Sequence, residues 1–128
     1  MQTPVLHRAI AAYESGAWAE AEAACNEMLS AEPRQADALQ ILGNIRARSG
    51  DTRGAEPLLE RALATDPRHV ECVTSLADLA EKEGRLADAR SLAGRALALA
   101  PGFPAARIVL AELDRQGRGL RSGGVGHA

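Results

Sequence analysis

Few residues in this 128-residue chain are of a type that could do covalent or metal chemistry, and they are scattered. Three histidines, His7, His69 and His127, and two cysteines, Cys25 and Cys72, are the candidates for metal ligation or nucleophilic attack. The cysteines stand alone, without the paired spacings of zinc sites or redox motifs. Neither has a base placed by the sequence to activate it, so two reduced, buried thiols are the simplest reading. The histidines fall in the first helix, in a mid-chain turn and in the last residues, where no spacing converges them on a metal. The pattern G-x-x-x-x-G-K is absent, and the glycines punctuate helices instead of opening a phosphate loop. Carboxylates are plentiful, yet nothing marks two of them as an acid and base pair. The chemistry to expect is recognition by surface amides and charges, with no enzyme activity and no cofactor.

Composition narrows the partner. Fifteen Lys and Arg against 17 Asp and Glu give a formal net charge of −2, which disfavours nucleic acid, whose binders concentrate basic residues on one face. No apolar stretch approaches the roughly 20 residues that span a bilayer, and Met1–Tyr13 lacks the pattern of a signal peptide. A cytoplasmic protein without membrane insertion is expected. Aromatic residues are only 2% of the chain, so a core must come from Leu, Ile, Val and Ala, which suits closely packed helices.

The elements that would carry such a surface follow from one period. Pro33, Pro67 and Pro101 recur every 34 residues, as do Gly16, Gly50 and Gly84. The same spacing aligns Ala21, Ala55 and Ala89, then Leu29, Leu63 and Leu97, then Ala9, Gly43 and Ala77. The glycines fall where one helix must end in a left-handed residue, and each proline stops the second helix of a pair. This register predicts helices near 3–15, 18–31, 35–49, 52–64, 69–83, 86–99 and 104–116, with Pro104 in the first turn of the last. Gly54 and Pro57 suggest that the fourth helix starts late or bends. The expected all-α architecture is one domain over 1–116, with repeats near 2–35, 36–69 and 70–103 and a capping helix at 104–116. From Gly117 to Ala128 periodicity is lost, and a flexible Gly-rich tail is expected.

These columns resemble the tetratricopeptide-repeat (TPR) family, whose 34-residue unit carries small and large residues in this order. The second repeat matches best, with Leu39, Leu42-Gly43, Gly50, Ala55, Leu59, Ala62 and Pro67. The third follows with Val73, Leu76-Ala77, Gly84, Ala89, Ala96 and Pro101. The first keeps Gly16, Trp18, Ala21 and Pro33 but has Arg8 where Leu is expected. The resemblance implies a right-handed superhelix, or α-solenoid, whose concave wall is lined by the first helix of each repeat and holds a peptide or helix of a partner.

Counting along those helices assigns the groove to Leu6, Ile10 and Tyr13, then Asp37, Gln40, Ile41, Asn44 and Arg48, then Glu71, Thr74, Ser75, Asp78 and Lys82. Ile108, Glu112 and Arg115 would extend it. Asn44 stands out because an amide both donates and accepts, and so can hold an extended backbone. Arg48 and Lys82 could meet acidic side chains, while Asp37, Glu71, Asp78 and Glu81 tilt the middle toward acidity. The family's clamp for a chaperone-tail carboxylate needs Lys and Asn where this chain has Leu6, Ile10, Ile41, Glu71 and Ser75, so Hsp70 and Hsp90 tails are not expected ligands. A scaffold that binds a protein or peptide partner is the first reading. A substrate-docking segment of a larger transferase is the alternative, and a homodimer or larger self-assembly through apolar ends such as Leu6, Ile10 and Ile108 is a third.

Overall fold

The computed structural model describes residues 3–125, with side chains placed for 4–117. Seven helices follow in order: α1 (Thr3–Glu14), α2 (Trp18–Ala31), α3 (Ala36–Arg48), α4 (Thr52–Thr65), α5 (Val70–Lys82), α6 (Leu86–Leu99) and α7 (Pro104–Val125). His127 lies outside the described residues.

The period acts through its joints. Gly16, Gly50 and Gly84 adopt φ of 81°, 87° and 81°, the left-handed conformation that a Cβ would strain. Each follows a first helix, and the next residue donates back five positions: Ala17 N to Ala12 O, Asp51 N to Arg46 O and Arg85 N to Ala80 O, at 2.8–2.9 Å. These bonds satisfy carbonyls that the helix ends would leave bare, the Schellman arrangement. The second helices end differently. Glu32, Asp66 and Ala100 are extended and donate to Met28, Ala62 and Ala96 O, and a proline follows at once. One side-chain bond crosses each of the first two proline joints. Arg61 Nη2 donates to Pro33 O at 3.5 Å, and Arg95 Nη2 to Pro67 O at 3.2 Å.

The helix bounds fall within a residue of the sequence reading except at the end of α7. Helix α4 begins at Thr52, in step with its counterparts, because the Asp51 carboxylate accepts from Gly54 N at 2.9 Å and caps it despite Pro57. Helix α5 begins one residue late because His69 is its cap. Helix α7 continues to Val125, through the stretch from Gly117 expected to be a tail. A turn packed around Leu113 supplies the nucleus, and propagation then adds one hydrogen bond per residue even through poor helix formers.

Helices pair as α1–α2, α3–α4 and α5–α6, and α7 packs on α5 and α6. Helices α1, α3, α5 and α7 also touch in succession, whereas α2, α4 and α6 do not touch one another. A stack that is close on one side and splayed on the other is concave on the close side. Between the layers runs a core of Ala, Leu and the two cysteines, with Leu59, Ala55, Cys72 and Val73 fully buried. Gly43 is required at one crossing, where a Cβ would lie 2.8 Å from Cγ of Leu59.

Candidate functional site

The concave side holds a cleft of about 520 Å³ that runs from α1 to α7. The 34-residue period arranges its wall in rows. Gln40, Thr74 and Ile108 form one, Asn44 and Asp78 the next, and Arg48 and Lys82 another near the helix C-termini. Tyr13, Glu71 and Ser75 also line it. Leu6, Ile10, Asp37, Glu112 and Arg115 do not, and Glu112 and Arg115 pair with each other. Ile41 was expected on the wall and is instead buried, 6% exposed, against Ala9, Ala12 and Ala38. It faces α1, and turning it out would cost about 2 kcal/mol of apolar burial. Gln40 and Thr74 line the cleft but are almost covered, with Gln40 Nε2 donating to Ser75 Oγ at 3.3 Å and Thr74 Oγ1 to Val70 O at 2.8 Å.

The sequence reading missed Ala47, Thr52, Leu79, Phe103, Ala105 and Val109. The period contains the signal for three of them, since Ala47, Ala105 and Val109 lie one repeat after Tyr13, Glu71 and Ser75. Thr52, Leu79 and Phe103 have no such marker.

Most charges on the wall are already engaged. Arg48 Nε donates to the Tyr13 hydroxyl at 2.9 Å, and its guanidinium lies 5.4 Å from the Tyr13 ring centre and 5.2 Å from that of Trp18. The two rings meet edge to face at 5.3 Å, so an aromatic corner seats the cation. Lys82 Nζ donates to Asp78 Oδ2 at 2.9 Å. Three wall groups remain without a hydrogen-bond or salt-bridge partner among the described residues, the half-buried Asn44 amide, the half-buried Thr52 hydroxyl and the exposed Glu71 carboxylate.

Behind the wall, His69 joins two helices. Its Nδ1 accepts from Cys72 N at 3.1 Å, capping α5, and its Nε2 is 2.7 Å from Asp37 Oδ1 on α3. In neutral form the proton therefore sits on Nε2. Protonation gives up the cap for a charge-assisted bond, the stronger of the two. The hydrogen bond to Asp37 raises the His69 pKa above 6.5 against the opposing effect of burial, and the same bond lowers that of Asp37 below 3.8. Both ring nitrogens are committed, so His69 is a structural clasp. Burial pushes the Cys25 thiol up to about 11, helped by Glu22, and the Cys72 thiol up to about 12. Cys72 Sγ donates to Leu59 O at 3.0 Å. Neither thiol reaches the cleft, and among the described residues no three His, Cys, Asp or Glu side chains are grouped to hold a metal.

A two-layer helical stack with its wall-forming helices in period defines an α-solenoid. Within that class the chain belongs to the tetratricopeptide-repeat family, whose model matches residues 42–106, about half of the chain. No curated protein sequence matches it. Among solved structures it is similar to a mutant Thermobaculum terrenum O-GlcNAc transferase, at 24% identity and a TM-score of 0.76 over 90% of this chain, while spanning only 26% of the transferase. It is similar to the first TPR of Spaghetti (RPAP3) bound to an HSP90 peptide, at 16% identity and a TM-score of 0.78, over 90% of this chain and 91% of that one. It is also similar to the Yersinia enterocolitica type III secretion translocator chaperone SycD, at 19% identity and a TM-score of 0.75, over 88% of this chain and 81% of that one. These likenesses show the shared fold. No helix among the described residues is long and apolar enough to cross a membrane.

Proposed function

We propose that this protein is a polypeptide-binding module that holds a partner segment in the concave cleft. The observation that carries the reading is the unpartnered Asn44 amide, set in a cleft wall that also holds the seated Arg48 and the Glu71 carboxylate. A buried amide without a partner is costly, whereas one facing an open cleft can bond a backbone that enters it. The family supports the reading, as do neighbours of the same fold that bind an HSP90 peptide or serve as a translocator chaperone. The ligand is not carried over from them. A terminal carboxylate would meet Glu71 and Ser75 here, with Ile41 turned into the core, so a chaperone tail is not the proposed partner.

The test is calorimetry with a partner segment captured from the native lysate. Asn44→Ala is expected to weaken binding about tenfold, the order of a lost hydrogen bond in a desolvated site. Unchanged affinity would remove the cleft assignment.

A second reading has one specific observation behind it, the match of nearly the whole chain to a quarter of the transferase. In that reading the module docks substrate for a catalytic domain encoded with it. The open reading frame beyond Ala128 decides the matter, and a stop codon directly after it would end this alternative.

A further inference from the structure

The charges on the cleft wall do not contribute equally to an incoming ligand. Arg48 is held by Tyr13 and Trp18, and Lys82 and Asp78 neutralise each other. Glu71 and Arg48 are the wall charges without a salt bridge among the described residues, and of the two only Glu71 also lacks a hydrogen-bond partner, its charge acting at longer range on the His69 ring. It stands in the first turn of α5, and the position one repeat later on α7 is Ala105, so its neighbour in the row brings no charge. Around it the cleft turns apolar, with Phe103 half-buried, Ala105 exposed and Ile108 68% exposed. An isoleucine this open on the wall of a cleft gains when methylenes cover it.

We propose that the α7 end of the cleft is a subsite for one Lys or Arg of the bound segment, with its charged head on Glu71 and its aliphatic stem over Ile108 and Phe103. The subsite rests on the polypeptide-binding reading and gives its partner a chemistry. Long basic side chains are amphipathic in the required sense, an apolar stem ending in a cation. An acidic side chain would meet a like charge, and an apolar one would leave the Glu71 carboxylate stripped of water and unpaired. The positive end of the α5 dipole, equivalent to about half a charge over the first turn, opposes a cation. The full charge of Glu71 outweighs it.

The test is selection from a library of random dodecapeptides displayed on their own messenger RNA, run in parallel on the wild type and on variants whose melting curves match it. Lys and Arg are expected to be enriched at one position by about threefold or more over the input, as an ion pair on a partly exposed surface permits. The enrichment should vanish with Glu71→Gln, turn to Asp and Glu with Glu71→Lys, and survive Glu60→Gln on α4, outside this cleft. Ile108→Ser should weaken the selected peptides about threefold or more, the scale of an uncovered apolar stem. Basic enrichment that persists in Glu71→Gln, or an acidic or absent preference in the wild type, overturns the subsite while leaving peptide binding in place. Failure to enrich any peptide overturns the polypeptide-binding reading itself.

Discussion

Gly43 and Gly94 are both helical, and substitution should move stability in opposite directions. An added Cβ at 43 meets Leu59 Cγ and Cδ2 at 2.8 Å, whereas one at 94 meets nothing within 4 Å. Gly94→Ala is expected to raise stability by about 0.5–1 kcal/mol, the helix-propensity gain. Gly43→Ala gains the same propensity but must displace a fully buried leucine, and should lower stability by about 1–2 kcal/mol net. Urea denaturation of the two variants measures both. His69 gives a pH signature. Its raised pKa means that the imidazolium bond to Asp37 stabilises fully below the ordinary imidazole value of 6.5 and fades as pH climbs through the raised folded value. The lowered Asp37 pKa means that its contribution is present above 3.8 and fades as pH falls through the folded value. Asp66 and Glu71 face the same ring and favour its charge. His69→Asn keeps a capping side chain and removes the titration. The melting-temperature gap to wild type should therefore be largest between these two ordinary values and shrink above neutrality. The thiols offer a third check. With pKa values of about 11 and about 12, Cys25 and Cys72 should resist a disulfide reagent at pH 8 in the folded protein and react at once in denaturant.

At the scale of elements, α4 carries an internal proline where its counterparts carry Ala23 and Ser91. The Asp51 cap fixes the start of the helix, but Pro57 lies in the second turn, where its missing N–H leaves Arg53 O without its intrahelical donor. Because Pro57 is exposed, Pro57→Ala should stabilise by about 1–3 kcal/mol, read as a higher urea midpoint at unchanged slope. Helix α3 shows where sequence reasoning stops. The period located its ends to within a residue, but it did not separate Ile41, which turns into the core, from Gln40 and Asn44, which line the cleft. An apolar residue at a wall boundary turns toward the adjoining helix, and the presence of α1 beside it is a tertiary fact. Likewise, Arg48 was legible as a cation. Its seat between Tyr13 and Trp18 was not, because those residues lie 35 and 30 positions away. Helix α7 repeats the signature of a first helix in Leu110-Ala111, yet carries exposed Arg107 where α3 and α5 bury Leu39 and Val73. That charge gives α7 a polar outer side, the property that the end of a solenoid needs.

Across the whole molecule, burial is concentrated in the middle of the wall. Helices α3 and α5 each bury seven residues, while α4 and α6 each bury three. Hydrogen exchange should thus be slowest in α3 and α5 and faster in α1, which among the described residues packs on α2 and α3 alone. The wall on which a ligand would rest is then also the stiffest part of the protein. The bonds from Arg61 to Pro33 O and from Arg95 to Pro67 O have a further meaning. Each spans 28 residues of chain, and its two halves sit at fixed places within the 34-residue unit. Duplicating residues 68–101 in tandem would regenerate both halves at the new seam, an arginine in the inserted module facing a proline carbonyl before it. The molecule is built like a measuring tape, on which lengthening by one division needs no new joint to be invented.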